Sequence, residues 1–280
     1  MSSILACGQT DPGLARLHNE DAFRVDGDNG LYVVADGMGG HSHGEVASKI
    51  AVETIARTLR APEPARATPI PLPTRAAVSS NQNTPLPHNP AAATQPGAGL
   101  RPHSLRFRDA IRRAHDAMLN AIRDDLSLQG MGTTVAGLLV RDGIAAVAHV
   151  GDSRVYRLRG SEMRLLTRDH TWVNEQVMAG FLTEDQARTH PLRNVVTRAL
   201  GGEAEVAVDV SEVELRKGDL YLICSDGLTT MLTDPDIKSR LASGKPLDEI
   251  CRSLIAAANE RGGVDNITVV IARVQDDSQA

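Results

Sequence analysis

The 280-residue sequence predicts an α+β fold, antiparallel sheets covered by helices, on three observations. Short β-like runs are joined by tight turns, Arg141-Asp-Gly143 and Lys217-Gly-Asp219, which mark hairpins and therefore antiparallel pairing. Helical patterns arrive in pairs between these hairpins, as expected when helices cover sheets. Apolar residues make up 41% of the chain and aromatics only 2%, so the core is built from Val, Leu, Ile and Ala.

In chain order, Leu31-Tyr-Val-Val-Ala35 is too apolar for a surface and reads as a buried strand running into Asp36-Gly37. A helix is expected over 44–59, where Val46, Ile50, Ile55 and Leu59 share a face, and another over 104–128 with Phe107, Ile111, Ala114, Met118 and Ile122. Between them, residues 61–103 hold ten of the 14 prolines with Ala, Thr, Asn and Gln, which is the composition of a disordered surface insertion. Strands follow over 134–140, 144–150, 154–159, 206–215, 220–224 and 267–274. Thr133 and Thr134 read as the start of a strand. Residues 168–198 loosen into a polar stretch around a short helix and read as a flap over one end of the sheets, with Trp172 packing it. Helices over 235–241 and 246–261 precede the last strand, with Asp234 as the expected N-cap before Pro235. One domain spanning residues 1–280 accommodates all of this.

Composition also excludes function classes. A net charge of −5 without a basic block speaks against nucleic acid or an anionic membrane surface as the main partner. Cys7, Cys224 and Cys251 are odd in number and far apart, which argues against a disulfide framework or a zinc site and for a reducing cytoplasm. No segment has the length of a membrane helix, and the first residues lack the pattern of a signal peptide. A monomer is the default expectation.

The chemistry is carried by three aspartates placed against apolar runs: Asp36, Asp226 in Leu220-Tyr-Leu-Ile-Cys-Ser-Asp226-Gly227, and Asp265 opening Ile267-Thr-Val-Val-Ile271. Aspartate is a poor strand residue, and acids gathered at the rim of a core repel unless a cation holds them. Oxygen donors suit a hard divalent ion such as magnesium, manganese or calcium, and a glycine lets a backbone carbonyl join them.

Together with Arg16-Leu-His-Asn-Glu20-Asp21, Asp36-Gly-Met-Gly-Gly40, Gly132-Thr-Thr134 and Gly151-Asp-Ser-Arg154, these motifs stand in the order found in PP2C-type (PPM family) metal-dependent protein serine/threonine phosphatases, which the chain resembles over nearly its whole length outside the insertion. The resemblance implies a four-layer α-β-β-α sandwich and a binuclear Mn2+ or Mg2+ centre at the sheet edges. By position, Asp36 looks like the bridging ligand, Gly37 like the carbonyl ligand, and Asp226 and Asp265 like further ligands; Asp152 resembles the partner of Asp226 at a third metal. Glu20 and Asp21 resemble outer acids acting through water, and Arg16 the group that grips the substrate phosphate, for which a guanidinium fork is suited. The implied partners are phosphorylated proteins and a cognate Ser/Thr kinase.

Met38 stands where animal relatives carry a proton-donating histidine, so water held by the metals is the expected acid, with His41 or His43 as alternatives. Cys224 reads as a buried small hydrophobe, and His149 and His170 as structural. Two other functions are compatible with the fold: a catalytically silent phosphoprotein-binding module, which would be expected to lose ligands, and a two-metal phosphatase of small esters.

Overall fold

The computed structural model of the chain describes residues 3–39, 43–60 and 99–275; Gly40, His41 and most of the expected insertion lie outside them. Described elements run in the order β1 (Ile4–Asp11), β2 (Ala22–Asp26), β3 (Leu31–Ala35), β4 (Gly37–Met38), α1 (His43–Arg60), α2 (Pro102–Asp124), β5 (Gly132–Thr133), β6 (Val135–Arg141), β7 (Ile144–Val150), β8 (Arg154–Arg159) and β9 (Glu162–Leu165). They continue with α3 (Trp172–Met178), α4 (Glu184–Thr189), β10 (Asp209–Glu214), β11 (Leu220–Cys224), α5 (Asp226–Met231), α6 (Asp234–Leu241), α7 (Leu247–Glu260) and β12 (Ile267–Val274).

Two five-stranded antiparallel sheets result, ordered β1-β12-β11-β8-β9 and β10-β7-β6-β3-β2. Strand period 2 then produces four layers. Along β3, Leu31, Val33 and Ala35 pack on Ala47, Ala51 and Ile55 of α1 and on Phe107, Ile111 and Met118 of α2, while Tyr32 and Val34 face the other sheet. Along β11 and β12, Leu220, Leu222, Ile267, Val269 and Ile271 pack on Ile250, Cys251 and Leu254 of α7; Tyr221, Ile223 and Val270 point between the sheets. Each central strand is therefore buried on both faces, which is why it reads as a continuous apolar run. The expected sandwich is the observed one.

The boundaries differ where local chemistry overrides pattern. The helix expected from 104 begins at Pro102, whose missing N–H costs nothing in a first turn, and ends at Asp124 before a separate 3-10 turn over Leu126–Leu128. Thr233, not Asp234, caps α6: its N–H donates to the Asp236 carboxylate at 3.1 Å, and Asp234 accepts from the Tyr156 hydroxyl instead, also at 3.1 Å. Pro246 flanks α7 rather than starting it, and the strand expected from 206 forms only over Asp209–Glu214. Strands without a sequence signal, β1, β2 and β9, are sheet edges, whose half-buried residues lack an unbroken apolar run.

Candidate active site

The turns at one end of the two sheets gather the predicted acids. β3 ends at Ala35, and the backbone of Asp36 is then clamped by Thr133 and Thr134: its carbonyl accepts from Thr134 N–H at 2.9 Å and Thr133 Oγ1 at 2.8 Å, and its N–H donates to Thr134 Oγ1 at 3.1 Å. Gly37 follows in a space with no room for a side chain, since a Cβ there would stand 2.1 Å from the Gly44 carbonyl and 2.5 Å from that of Glu20. Asp226 opens α5 directly after β11, and Asp265 lies just before β12.

These loops are tied to the amino-terminal segment through Asn266, which accepts from Glu20 N–H at 2.8 Å and donates to the carbonyls of Pro12 and His18 at 2.9 Å each. Asp265 accepts from Arg16 Nη2 at 2.7 Å. Asp21 is buried, and its Oδ2 accepts from Thr268 Oγ1 at 2.6 Å and Ser225 Oγ at 2.8 Å. Its Oδ1 is also buried and has no hydrogen-bond partner. Asp152 lies buried in the turn from β7 to β8, where Gly151 adopts φ 100° and passes so close to Thr134 that a Cβ would sit 2.6 Å from that side chain.

The electrostatics single out Asp36. Burial first, and then the fields of Asp21, Asp226, Asp152 and Asp265, push its carboxyl well above the usual range. Asp226 is pushed up to about 6 by burial and Asp265, against the relief of a hydrogen bond with Asp36. Asp21 and Asp152 are each pushed up to about 7, burial leading in both. Asp36 and Asp226 keep a little accessible surface although protein crowds them, as carboxylates at the foot of a cleft do, and the crowding governs their desolvation. Arg16 is the one cation paired with this set among the described residues; Arg154, next to Asp152, is committed to Asp169 at 2.6 Å.

This donor set fits divalent cations. It is all oxygen, its charges repel one another, and the orphaned buried Oδ1 of Asp21 needs a positive partner. Glu20 stands apart from the acids that act on Asp36, its carboxylate lying over Gly44 in the first turn of α1, where the helix dipole favours an anion.

A second cluster of possible ligands, His149, His170 and Asp209, has a different character. Its imidazoles stack with centroids 4.7 Å apart, and Arg198 Nη1 already lies 3.0 Å from Asp209 Oδ1 and 3.1 Å from His170 Nε2. His170 Nδ1 accepts from Gly151 N–H at 3.0 Å, which places its ring proton on Nε2, toward Asp209. His149 Nε2 lies 2.8 Å from the Arg168 carbonyl. With its positive charge built in, this cluster braces the Gly151 turn against residues 168–198, which are also pinned by Thr197 N–H to the His170 carbonyl at 2.8 Å. Trp172 packs within the flap against His190, ring centroids 5.1 Å apart. Cys224 is fully buried, which pushes its thiol up to about 12 and leaves it inert.

The structure thus brings together Asp21, Asp36, Asp152, Asp226, Asp265 and Arg16. The bracing residues Ser225, Asn266 and Thr268 had no assigned role in the sequence, and Thr133 and Thr134, read as a strand start and lying in β5 and just before β6, also hold Asp36. The only signal for them was their position beside motif aspartates. His41 lies outside the described residues, and His43 is the first residue of α1.

The sequence matches the protein phosphatase 2C family over residues 15–267. It is 32% identical to the serine/threonine phosphatase stp of Listeria monocytogenes over 266 residues, 94% of this chain and 93% of that one. It is likewise 32% identical to the protein phosphatase PhpP of Streptococcus pneumoniae over 271 residues, 96% of each. Among solved structures, it superposes on the Mycobacterium tuberculosis serine/threonine phosphatase PstP/Ppp with a TM-score of 0.80 at 31% identity, covering 99% of this chain and 100% of that one. The PstP catalytic domain in complex with 2 manganese ions gives a TM-score of 0.77 at 31% identity, with 99% and 100% covered.

Proposed function

The chain belongs to the protein phosphatase 2C family, as a metal-dependent protein serine/threonine phosphatase, and from that premise we propose how its own residues divide the work. Asp36, the Gly37 carbonyl, Asp226 and Asp265 would hold two Mn2+ or Mg2+ ions, with Asp36 central among them. Asp152, whose carboxyl feels the field of Asp226, would hold a third ion together with it. Asp21 presents its free Oδ1 to the cations while Ser225 and Thr268 fix the other oxygen, and Glu20 acts at longer range through water. The observation that carries this reading is the convergence of four carboxylate fields on Asp36.

Bound cations would lower the pKa of a water near phosphorus and screen the phosphate charge. Arg16 orients the phosphate: one of its five N–H donors holds Asp265, and the others remain for phosphate oxygens. Met38 has no proton to give the leaving alkoxide and water held by the cations is the expected donor, so replacing either His41 or His43 with Gln should leave the alkaline limb of the pH-rate profile in place.

The partners are phosphorylated proteins, and a serine/threonine kinase whose products the enzyme removes is the counterpart such chemistry requires. The three free cysteines support a reducing cytoplasm, no helix among the described residues is long and apolar enough to cross a membrane, and we assign a monomer. Residues 1–280 are treated as one domain with an insertion at 61–103 and a flap at 168–198.

The test is phosphate release from a phosphothreonine peptide with Mn2+ and with EDTA. Release only with Mn2+ is expected. No release from any phosphopeptide, under conditions where a verified relative turns over, would sink the assignment.

A further inference from the structure

The loop that carries Arg16 displays an apolar surface that folding does not account for. Leu14 is 69% exposed, Leu17 95% and Val264 47%. Other exposed large hydrophobics have simpler settings: Leu5 and Leu165 on edge strands, Leu126 in the turn after α2, and Met178, Phe181, Leu192 and Val195 within the flap. Isolated exposed aliphatics are ordinary. Leu14 and Val264 meet at one turn, and Leu17 adjoins Arg16 in the chain. Leu14 and Ala15 both donate backbone hydrogen bonds to the Gly263 carbonyl, at 2.7 and 3.2 Å. Leu14 lies so close over Gly263 that a Cβ there would meet its Cγ at 3.0 Å. Val264 is the next residue, and Asp265, the partner of Arg16, the one after.

The two loops are also held rigidly. Asp11 Oδ1 accepts from Gly13 N–H at 2.9 Å and from Asn259 Nδ2 at 3.1 Å, and Asn266 clamps the carbonyls of Pro12 and His18. The backbone that carries the aliphatic groups is therefore held at the surface. A preformed apolar surface loses little entropy when it is covered.

We propose that Leu14, Leu17 and Val264 form an apolar lip beside Arg16 that receives apolar side chains next to the phosphorylated residue of the substrate. The occupant is fixed by continuity with the site. Leu17 is the chain neighbour of Arg16, and Val264 that of Asp265, which Arg16 holds at 2.7 Å, so a polypeptide whose phosphate Arg16 receives passes beside these residues. Phosphopeptides with aliphatic neighbours gain from covering this surface, and polar neighbours must desolvate against it. The lip thus sorts substrates by flanking sequence, a discrimination that the phosphate and cation contacts, identical for every substrate, have no means to supply.

This inference rests on the phosphatase reading, and its test separates the two. Two phosphothreonine peptides differ only in having leucine or the near-isosteric asparagine on both sides of the phosphothreonine. With Mn2+, the wild-type protein is expected to favour the leucine peptide by about tenfold in kcat/KM, the scale of a single partly buried aliphatic contact. Leu17→Ser should reduce that ratio to about two, and Leu14→Ser should act in the same direction. At 95% exposure Leu17 contributes no core packing, so its variant keeps the fold. A wild-type ratio near one, or a ratio unchanged in both variants, overturns the lip while leaving the phosphatase reading intact. Absence of turnover of either peptide by the wild type overturns both.

Discussion

Two clusters of titratable side chains meet at the turn Gly151–Ser153, and they solve the problem of buried charge in opposite ways. On one side, Asp21, Asp36, Asp152, Asp226 and Asp265 are acids forced together, each of the first four pushed upward in pKa by burial and then by its neighbours. On the other, Asp209 is held well below the usual carboxylate range, first by its hydrogen bond from His170 and further by Arg198. His149 is kept neutral by burial, pushed down to about 4. The second cluster is complete as protein. The first is a stable arrangement only with positive charge from outside the chain, and this difference, rather than the mere presence of ligand-type residues, separates a metal centre from a structural brace.

The sharpest way to break the comparison is to remove one charge from each side. Asp36→Asn is expected to lower kcat/KM on a phosphothreonine peptide by at least about a thousandfold, because it removes the carboxylate on which the others converge. It should nevertheless leave the metal-free protein as stable as the wild type or more so, since a buried repulsion disappears. Asp226→Asn should behave in the same way. A variant at either position with near-native turnover, or one markedly less stable in EDTA, contradicts the division drawn here.

Next in size is the response to pH and metal, where the clusters carry opposite signs. Asp21, Asp152 and Asp226 have folded-state pKa values of about 7, 7 and 6, raised above the unfolded value of about 3.9. Their contribution to stability is present below the unfolded value and is lost as pH rises toward 7. His149 is depressed to about 4 from an unfolded value of about 6.5, so its contribution is present above 6.5 and is lost as pH falls toward 4. Three raised carboxylates outweigh one depressed histidine, so melting curves between pH 4 and 8 should show metal-free stability falling as pH rises, with His149 offsetting only part of the loss. Saturating Mn2+ should abolish that fall and expose the opposite, His149 loss toward acid pH, adding about 2.7 kcal/mol at a hundredfold excess over Kd. A metal-free midpoint that climbs steadily from pH 5 to 8 would reject the account of the carboxylate rim.

The same contrast explains what the sequence made legible. Strands buried on both faces, such as Leu31–Ala35 and Leu220–Cys224, announce themselves by composition, and the aspartates that end them stand out because acid at the end of a greasy run is costly. An edge strand such as Ile4–Asp11 does not, because none of its residues is fully buried and no unbroken apolar run is needed. The groups that position the acids were the least visible. Thr133, Thr134, Ser225, Asn266 and Thr268 act through single hydrogen bonds between segments up to 254 residues apart, and hydroxyl and amide side chains of that kind are common in any turn. The brace was equally hidden, since Asp209 and Arg198 become partners of His170 only once strand β10 has paired with β7.

The smallest expected effect tests whether the brace reaches the rim. Asp209→Asn removes the negative charge and one of the two acceptor oxygens that hold the His170 ring and Arg198, while Gly151 remains tied to the ring through its N–H. Because Asp209 is substantially exposed, solvent screening limits the loss of stability to about 1 kcal/mol or less. A looser His170 frees the Gly151 turn, and Asp152 with it, so the concentration of Mn2+ needed for half-maximal activity should rise several-fold while the maximal rate at saturating metal changes little. Asp209→Glu, which restores the charge, should recover part of that shift. Equal metal requirements in the wild type and Asp209→Asn would confine the histidine cluster to holding the flap, with no influence on the acids across the turn.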